Sequence, residues 1–497
     1  MIPLDYFALL VSCGPELILV MAALAVLSVD LFFLREEPLP ARRLICGFLT
    51  IFACIGSVCW LAALHPEAAS AGGMLVIGPL TCLVKAALVI LVIFTVIISL
   101  EAEFTPHVGE YFALLLLATV GMMFLVSSEN LLMIFISLEL ASLSLYVLTG
   151  FAKSARPSAE AALKYFLFGG MAAAFTLYGL SLVYGLSGSI NLRDVALNLR
   201  GQGFDPLLAV ALVLTVTGFG FKIAAVPFHL WAPDAYEGAP TPSAALIASG
   251  SKVASFFVFA KVMILGFAGV EGSGAWRQFT PGWVPVLVIL AALSVVLGNL
   301  GAIVQSNVKR LLAYSAIAHA GYALLGIVSG NNQGISSLVF YVVTYGLTTV
   351  GAFGVVAVVE ANRGNAQLNS FAGLSKSAPL LSFCMMIFML SLAGIPPLAG
   401  FFGKFYLFTS AMGAARDFGL LWLVVLAVGM SAVSLYYYLI ILKQIYVANP
   451  SDAPVPFATP LSSKIALSLL AVAVTVFGLA PDLVVGRILS ALKAAPF

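Results

Sequence analysis

The chain of 497 residues is 62% hydrophobic and only 9% charged, with a mean hydropathy of +1.11, whereas soluble domains carry about 25% charged residues. A formal net charge of +2 argues against a nucleic-acid partner, and six cysteines without a CxxC pair indicate neither a disulfide framework nor a metal site. The composition describes an all-α polytopic membrane protein in contact with the lipid bilayer; its apolar runs are continuous over about 20 residues rather than alternating over about ten, which excludes a β-barrel.

Hydropathy predicts about 14 spans, near 12–34, 43–64, 76–100, 111–128, 130–150, 161–186, 206–228, 243–269, 282–305, 310–329, 334–360, 378–412, 417–446 and 462–489. The opening MIPLDYF has no basic region, so no cleavable signal is expected and the first span should remain in the mature chain. Small and aromatic residues recur about 175 residues apart in SAEAALKYFLFGGMAAAFTLYG and SLVFYVVTYGLTTVGAFG, and Lys222 and Lys404 stand about as far apart. This weak self-similarity suggests a three-helix segment over 1–110, five-helix repeats over 111–270 and 271–447, and a last helix within 448–497. Five spans per unit is odd, so the second repeat would be inverted in the membrane. Twelve of the 23 Lys and Arg residues, including Arg42, Arg43, Lys164, Lys309, Arg310 and Arg363, fall at one set of connections and six at the other. The positive-inside rule then places both termini on the outer side.

Five lysines remain within spans: Lys85, Lys222, Lys252, Lys261 and Lys404. A lysine at the bilayer centre costs about 2.5 to 3.5 kcal/mol on insertion scales, so such residues face a protein interior or water and are usually functional. Lys261 lies near the outer end of its span, where it can snorkel to the interface, and Lys85 is close to the end of span three; both read as bystanders. Lys222 and Lys404 stand beside Pro227 and Pro396-Pro397, which should break spans seven and twelve. Broken helices at membrane depth are tolerated where freed backbone faces protein or a wet cavity, and they point to an ion-binding midplane. With Lys252 these residues suggest an ion path.

The matching acid is Glu139, about two and a half turns inside span five, behind Glu129 and Asn130, which read as a solvated cap. Its expected partner is Lys222. Burial disfavours a charged lysine and a nearby carboxylate favours it, so a pair that opens and closes can release and capture a proton; a static pair pinning two helices is the alternative. His229, after the break in span seven, and His319, mid-span in YSAIAHAGY, are candidate relays because histidine titrates near neutral pH. His65 and His107 read as loop residues, Asp30 and Glu360 as solvated span ends, and the cysteines as small hydrophobes. No Gly-rich dinucleotide fingerprint or iron–sulfur spacing occurs, so no cofactor is expected in this chain.

PFHLWAPDAYEGAPTP, with Lys222 before it and Ser251-Lys252 after it, resembles the signature of the antiporter-like proton-pumping subunits of respiratory complex I, the NADH-quinone oxidoreductase. VKRLLAYSAIAHAGY and SLAGIPPLAGFFGKFY resemble the same family, and the similarity covers nearly the whole chain. The resemblance implies proton translocation through Glu139, Lys222, Lys252 and Lys404, the last on the exit side, with His229 and His319 lining the channel and Lys164 modulating proton uptake. It implies neighbouring antiporter-like membrane subunits, and quinone, flavin and iron–sulfur clusters in partner subunits. It also implies a bacterial inner membrane; Lys85 has no counterpart in the pattern. A subunit of a cation/proton antiporter, or of a ferredoxin- or hydrogenase-linked complex, is the alternative.

Overall fold

The computed structural model describes residues 6–64, 69–71, 73–200, 203–414, 418–449 and 457–494; His65 lies outside them. A short α1 (Tyr6–Ser12) leads into α2 (Gly14–Phe32) and α3 (Leu39–Ala63), and a small antiparallel pair, β1 (Ala69–Ala71) with β2 (Leu75–Ile77), precedes α4 (Pro79–Ser99). Next come α5 (Val108–Ser127), α6 (Leu131–Thr149), α7 (Arg156–Ser187) and α8 (Leu192–Leu199). The central stretch is divided into α9 (Pro206–Lys222), α10 (Trp231–Gly238), α11 (Thr241–Ala248) and α12 (Gly250–Lys261). After it follow α13 (Trp283–Ile303), α14 (Val308–Val328), α15 (Asn332–Arg363), the one-turn α16 (Leu374–Ser377) and α17 (Pro379–Ala393). The chain ends with α18 (Ala399–Ala414), α19 (Leu421–Tyr446), α20 (Leu461–Leu479) and α21 (Asp482–Ala494).

Among the described residues 12 helical stretches are long and apolar enough to cross a membrane, rather than 14. The shortfall falls on spans seven and twelve, where the pieces α9 and α17 are too short to count. Both breaks lie where the prolines predict them: Ala224 takes a positive φ of 55° before Pro227, and Gly394 one of 88° before Pro396. The peptide bonds Val226–Pro227 and Pro396–Pro397 are cis.

One local frame is built twice. Asn130 caps α6 by accepting from the backbone N–H groups of Leu132 and Met133, and Asn307 caps α14 through those of Lys309 and Arg310. Leu131 N–H donates to Ile190 O at 2.7 Å and Leu192 N–H to Glu129 O at 2.9 Å; Val308 N–H donates to Ala366 O and Leu368 N–H to Ser306 O, both at 2.8 Å. The long helices that separate the partners, α7 and α15, have 32 residues each. In front of each frame two helices approach to backbone contact. A Cβ on Gly121 of α5 would lie 2.5 Å from Ala141 N in α6, and one on Gly298 of α13 would lie 2.4 Å from Ala318 N in α14. Small residues at such crossings allow the close packing on which helix association in lipid depends.

Several charged residues expected at water are buried. Lys85 and Glu16 form an ion pair at 2.6 Å with both side chains 1% exposed. Lys261 does not snorkel: it is buried, donates to Val126 O at 3.1 Å and stands 3.4 Å from Glu129. Glu129, in turn, meets Arg193 at 3.2 Å. Asp30 accepts from Nε and Nη2 of Arg42, both at 2.7 Å, and Glu360, only half-buried, takes Lys309 at 3.1 Å together with the hydroxyl of Thr241. In each case a partner from elsewhere in the chain covers the charge, which depth along one helix does not reveal.

Candidate functional site

The break after α9 releases backbone groups at membrane depth, and buried side chains from three helices take them up. Ile223 O accepts the ammonium of Lys252 at 2.6 Å, Val226 N–H donates to Ser294 of α13 at 2.9 Å, and Phe221 O accepts the indole N–H of Trp231 at 2.9 Å. An unpaired buried carbonyl or N–H would be costly, so the break is stable because it is matched. Lys252 also reaches Ala316 O of α14 at 3.4 Å.

Lys222, the last residue of α9, turns the other way. Its Nζ hydrogen-bonds Ser142 and, at 3.0 Å, the hydroxyl of Tyr146, and it lies 5.3 Å from the centre of the Tyr146 ring. Tyr146 is held edge-on against Tyr165, which stacks on Trp231 at 4.2 Å. The direct Glu139–Lys222 ion pair expected from sequence is not formed. Positions 139, 142 and 146 share one face of α6 at helical spacing, and Ser142 and Tyr146 occupy the place by the lysine. Glu139 stands one turn away with its Oε1 buried and without a hydrogen-bond partner, still close enough for its charge to act on Lys222.

The second break presents the same elements in another arrangement. Lys404, near the start of α18, donates to Leu392 O at 2.9 Å and Ala393 O at 3.0 Å, the freed carbonyls at the end of α17, and to Ser431 of α19 at 2.8 Å. Its ammonium lies 5.0 Å from the ring of Tyr322. The negative end of a helix suits a cation. Gly394 is required here by its positive φ and because a Cβ would lie 3.1 Å from Cδ of Lys404.

Between the two breaks, His319 of α14 is buried against the ring of Tyr345 at 4.8 Å. Its Nδ1 contacts Tyr341 OH at 2.7 Å and its Nε2 contacts Tyr438 OH at 3.1 Å, while Tyr438 reaches Ser315 at 2.5 Å. The charges of both Lys252 and Lys404 act on this imidazole. The structure thus places Lys222, Lys252, His319 and Lys404 in one buried row, each held by its own hydroxyls or carbonyls, with the Tyr322 ring between His319 and Lys404. No carboxylate touches any of the three lysines among the described residues, and no cluster there could hold a metal ion.

The other candidates lie off this row. His229 follows the break with its Nδ1 buried and without a hydrogen-bond partner. Lys164 is 41% exposed and pairs with Glu160 at 2.7 Å and Asp234 at 2.8 Å; Arg310 joins Asp234 at 2.6 Å and Glu237 at 3.0 Å. The acids of PDAYEG therefore clamp α7, α10 and α14 together at one end of the bundle. Burial alone would raise the Asp234 carboxyl, but the hydrogen bonds from Lys164 and Arg310 outweigh it and hold the group below its ordinary value. His107 precedes α5 and contacts Glu110 at 3.2 Å.

A row of buried lysines at two broken helices defines an antiporter-like transmembrane subunit, and the chain belongs to that family: the family model for the transmembrane part of NADH:quinone oxidoreductase and Mrp antiporter proteins matches residues 128–432. The chain is 49% identical over 493 residues to NADH-quinone oxidoreductase subunit N 2 of Acidobacterium capsulatum, covering 97% of this chain and 98% of that one. It is 36% identical over 488 residues to NADH-quinone oxidoreductase subunit N of Rhodospirillum rubrum, covering 97% of each. Among solved structures, a chain of respiratory complex I from Thermus thermophilus with bound aureothin matches with a TM-score of 0.78 at 34% identity, covering 95% of this chain and 98% of that one.

Proposed function

We propose that this chain is subunit N of a bacterial NADH-quinone oxidoreductase and that it moves protons along Lys222, Lys252, His319 and Lys404 while partner subunits carry the quinone, flavin and iron–sulfur chemistry. The observation that carries this reading is the row itself. Three lysines, each under a tenth exposed, are held by hydroxyls and carbonyls without touching an acid. Lysines held this way can give up and regain a proton without leaving a stranded carboxylate. Glu139 acts at a distance, its charge favouring a protonated Lys222 when it is ionised. The twice-built frame around Asn130 and Asn307 supports two related five-helix units, the second inverted. The excess of basic residues among the connections shared by Lys164, Arg310 and Arg363 supports a cytoplasmic location for that end, in a bacterial inner membrane with both termini outside.

The test is proton pumping against electron-transfer rate in membranes carrying Lys222→Ala, with assembly checked in parallel. An assembled complex that loses both quinone-linked turnover and pumping supports the reading. Unchanged turnover with an unchanged proton-to-electron ratio would sink it in favour of a helical scaffold.

A further inference from the structure

Beyond Lys404 the row continues toward the outer face, and its next steps are drawn by two adjacent helices. On α14 and its C-cap the residues are Tyr322, Gly326 and Ser329; on α18 they are Lys404, Leu407 and Ser410, each set covering about 10 Å at 1.5 Å per residue. They meet as three rungs. Tyr322 lies over the Lys404 ammonium at 5.0 Å. Leu407, fully buried, seats on Gly326, where an added Cβ would lie 2.9 Å from its Cδ2. Ser329 and Ser410 are hydrogen-bonded at 3.2 Å.

The third rung opens on a cavity of about 420 Å³ whose lining includes Ser329, Trp283, Gln278, Ser273 and Glu271. Glu271 is exposed and is positioned at the mouth by Gly269 N–H, which donates to its carboxylate at 2.7 Å. The two serines are built for reversal. Ser329 has one proton and two acceptors, Leu325 O at 2.8 Å and Ser410, while Ser410 can donate instead to Leu407 O at 2.9 Å. A hydroxyl with two acceptors can turn, receiving one proton and passing another on, so its own proton count is unchanged. Polar groups thus stand on both sides of a single apolar rung.

We propose that Leu407, seated on Gly326, is a hydrophobic gate between Lys404 and an outlet vestibule whose mouth carries Glu271. Closed, the leucine excludes water and isolates the lysine; constrictions of this kind gate by dewetting. Open, it admits water, a proton leaves the Lys404 ammonium, the neutral amine remains, and one proton emerges in the vestibule beside the Glu271 carboxylate. The inference rests on the reading of Lys404 as a proton carrier, and its test separates the two.

The experiment uses the whole complex in liposomes, in a parent lacking Cys13 and Cys59, with a membrane-impermeant cationic methanethiosulfonate added from the outer face. Ser329→Cys, which lines the vestibule, is expected to label, and Lys404→Cys to be protected until Leu407→Ala is added, when its labelling should quicken about tenfold as water enters. Leu407→Ala alone should raise passive proton leak, and Leu407→Ala with Lys404→Ala should abolish the increase. Leu407→Val, which leaves a smaller gap, should fall between parent and Ala and stands in if Leu407→Ala does not assemble. The gate is overturned if Ser329→Cys does not label, if Lys404→Cys labels equally in both backgrounds, or if the leak persists without Lys404. Should Lys404→Ala alone keep full pumping, the proton-carrier reading fails instead, whatever the labelling shows.

Discussion

Lys222 and Lys404 sit at the two helix breaks of one chain, yet they are held by different chemistry. Lys222 meets two hydroxyls, which can accept from an ammonium or donate to a neutral amine. Lys404 meets two carbonyls and one hydroxyl, three acceptors for the three N–H groups of an ammonium, and the carbonyls can never donate. The first cradle tolerates both protonation states of its lysine. The second is built from acceptors, so a neutral Lys404 would find one donor at most, the Ser431 hydroxyl.

This contrast is sharpened most by emptying the first cradle. Ser142→Ala with Tyr146→Phe leaves Lys222 no polar partner, and turnover of the assembled complex should fall about 100-fold, the low end of what a positioned proton-transfer group contributes. Survival of turnover would show that the hydroxyls are packing alone. Glu139→Gln removes a charge that acts without contact; pumping-linked turnover should fall about tenfold, as about 1.4 kcal/mol of lost transition-state stabilisation would give. A loss as large as that of the double variant would mean that the carboxylate moves into contact during turnover.

Ser431→Ala leaves Lys404 both carbonyls, so the expected loss is about twofold, in keeping with the small net value of one hydrogen bond. An effect rivalling that at Lys222 would overturn the contrast between the cradles. The smallest effect lies away from both. Because Asp234 is held below its ordinary value, its clamp stabilises fully above the unfolded carboxyl value of about 3.9 and weakens as pH falls through the lower folded one. Asp234→Asn should therefore lower thermal stability at neutral pH and flatten its acid-side loss, read by thermal unfolding across that range.

Much of this was legible in the sequence because lipid allows few solutions. Long apolar runs have to be helices, and Pro227 and Pro396-Pro397 mark where two of them break. The buried row was legible for the same reason, since charges such as Lys222, Lys252 and Lys404 stand out in apolar surroundings. Burial of Lys85 and Lys261 was not, because it depends on Glu16 of α2 and on Glu129 in the connection between α5 and α6. Nor were the hydroxyls: the chain has 16 tyrosines, and nothing local separates Tyr146 or Tyr438 from the rest. Spacing of three and seven residues after Glu139 was the one available hint at Ser142 and Tyr146.

The close approach at Gly298 has a mechanical consequence. With Ala318 N so near, α13 and α14 have no slack between them and behave as one stiff strut. Tyr322, Gly326 and Ser329 all ride on that strut. Their counterparts ride on α18, whose start is packed as closely: a Cβ on Gly478 of α20 would lie 2.6 Å from Ala399 N, and one on Gly400 would lie 2.7 Å from Ser391 C. With both helices held this closely, opening at Leu407 falls to the leucine side chain and not to the sliding of either helix.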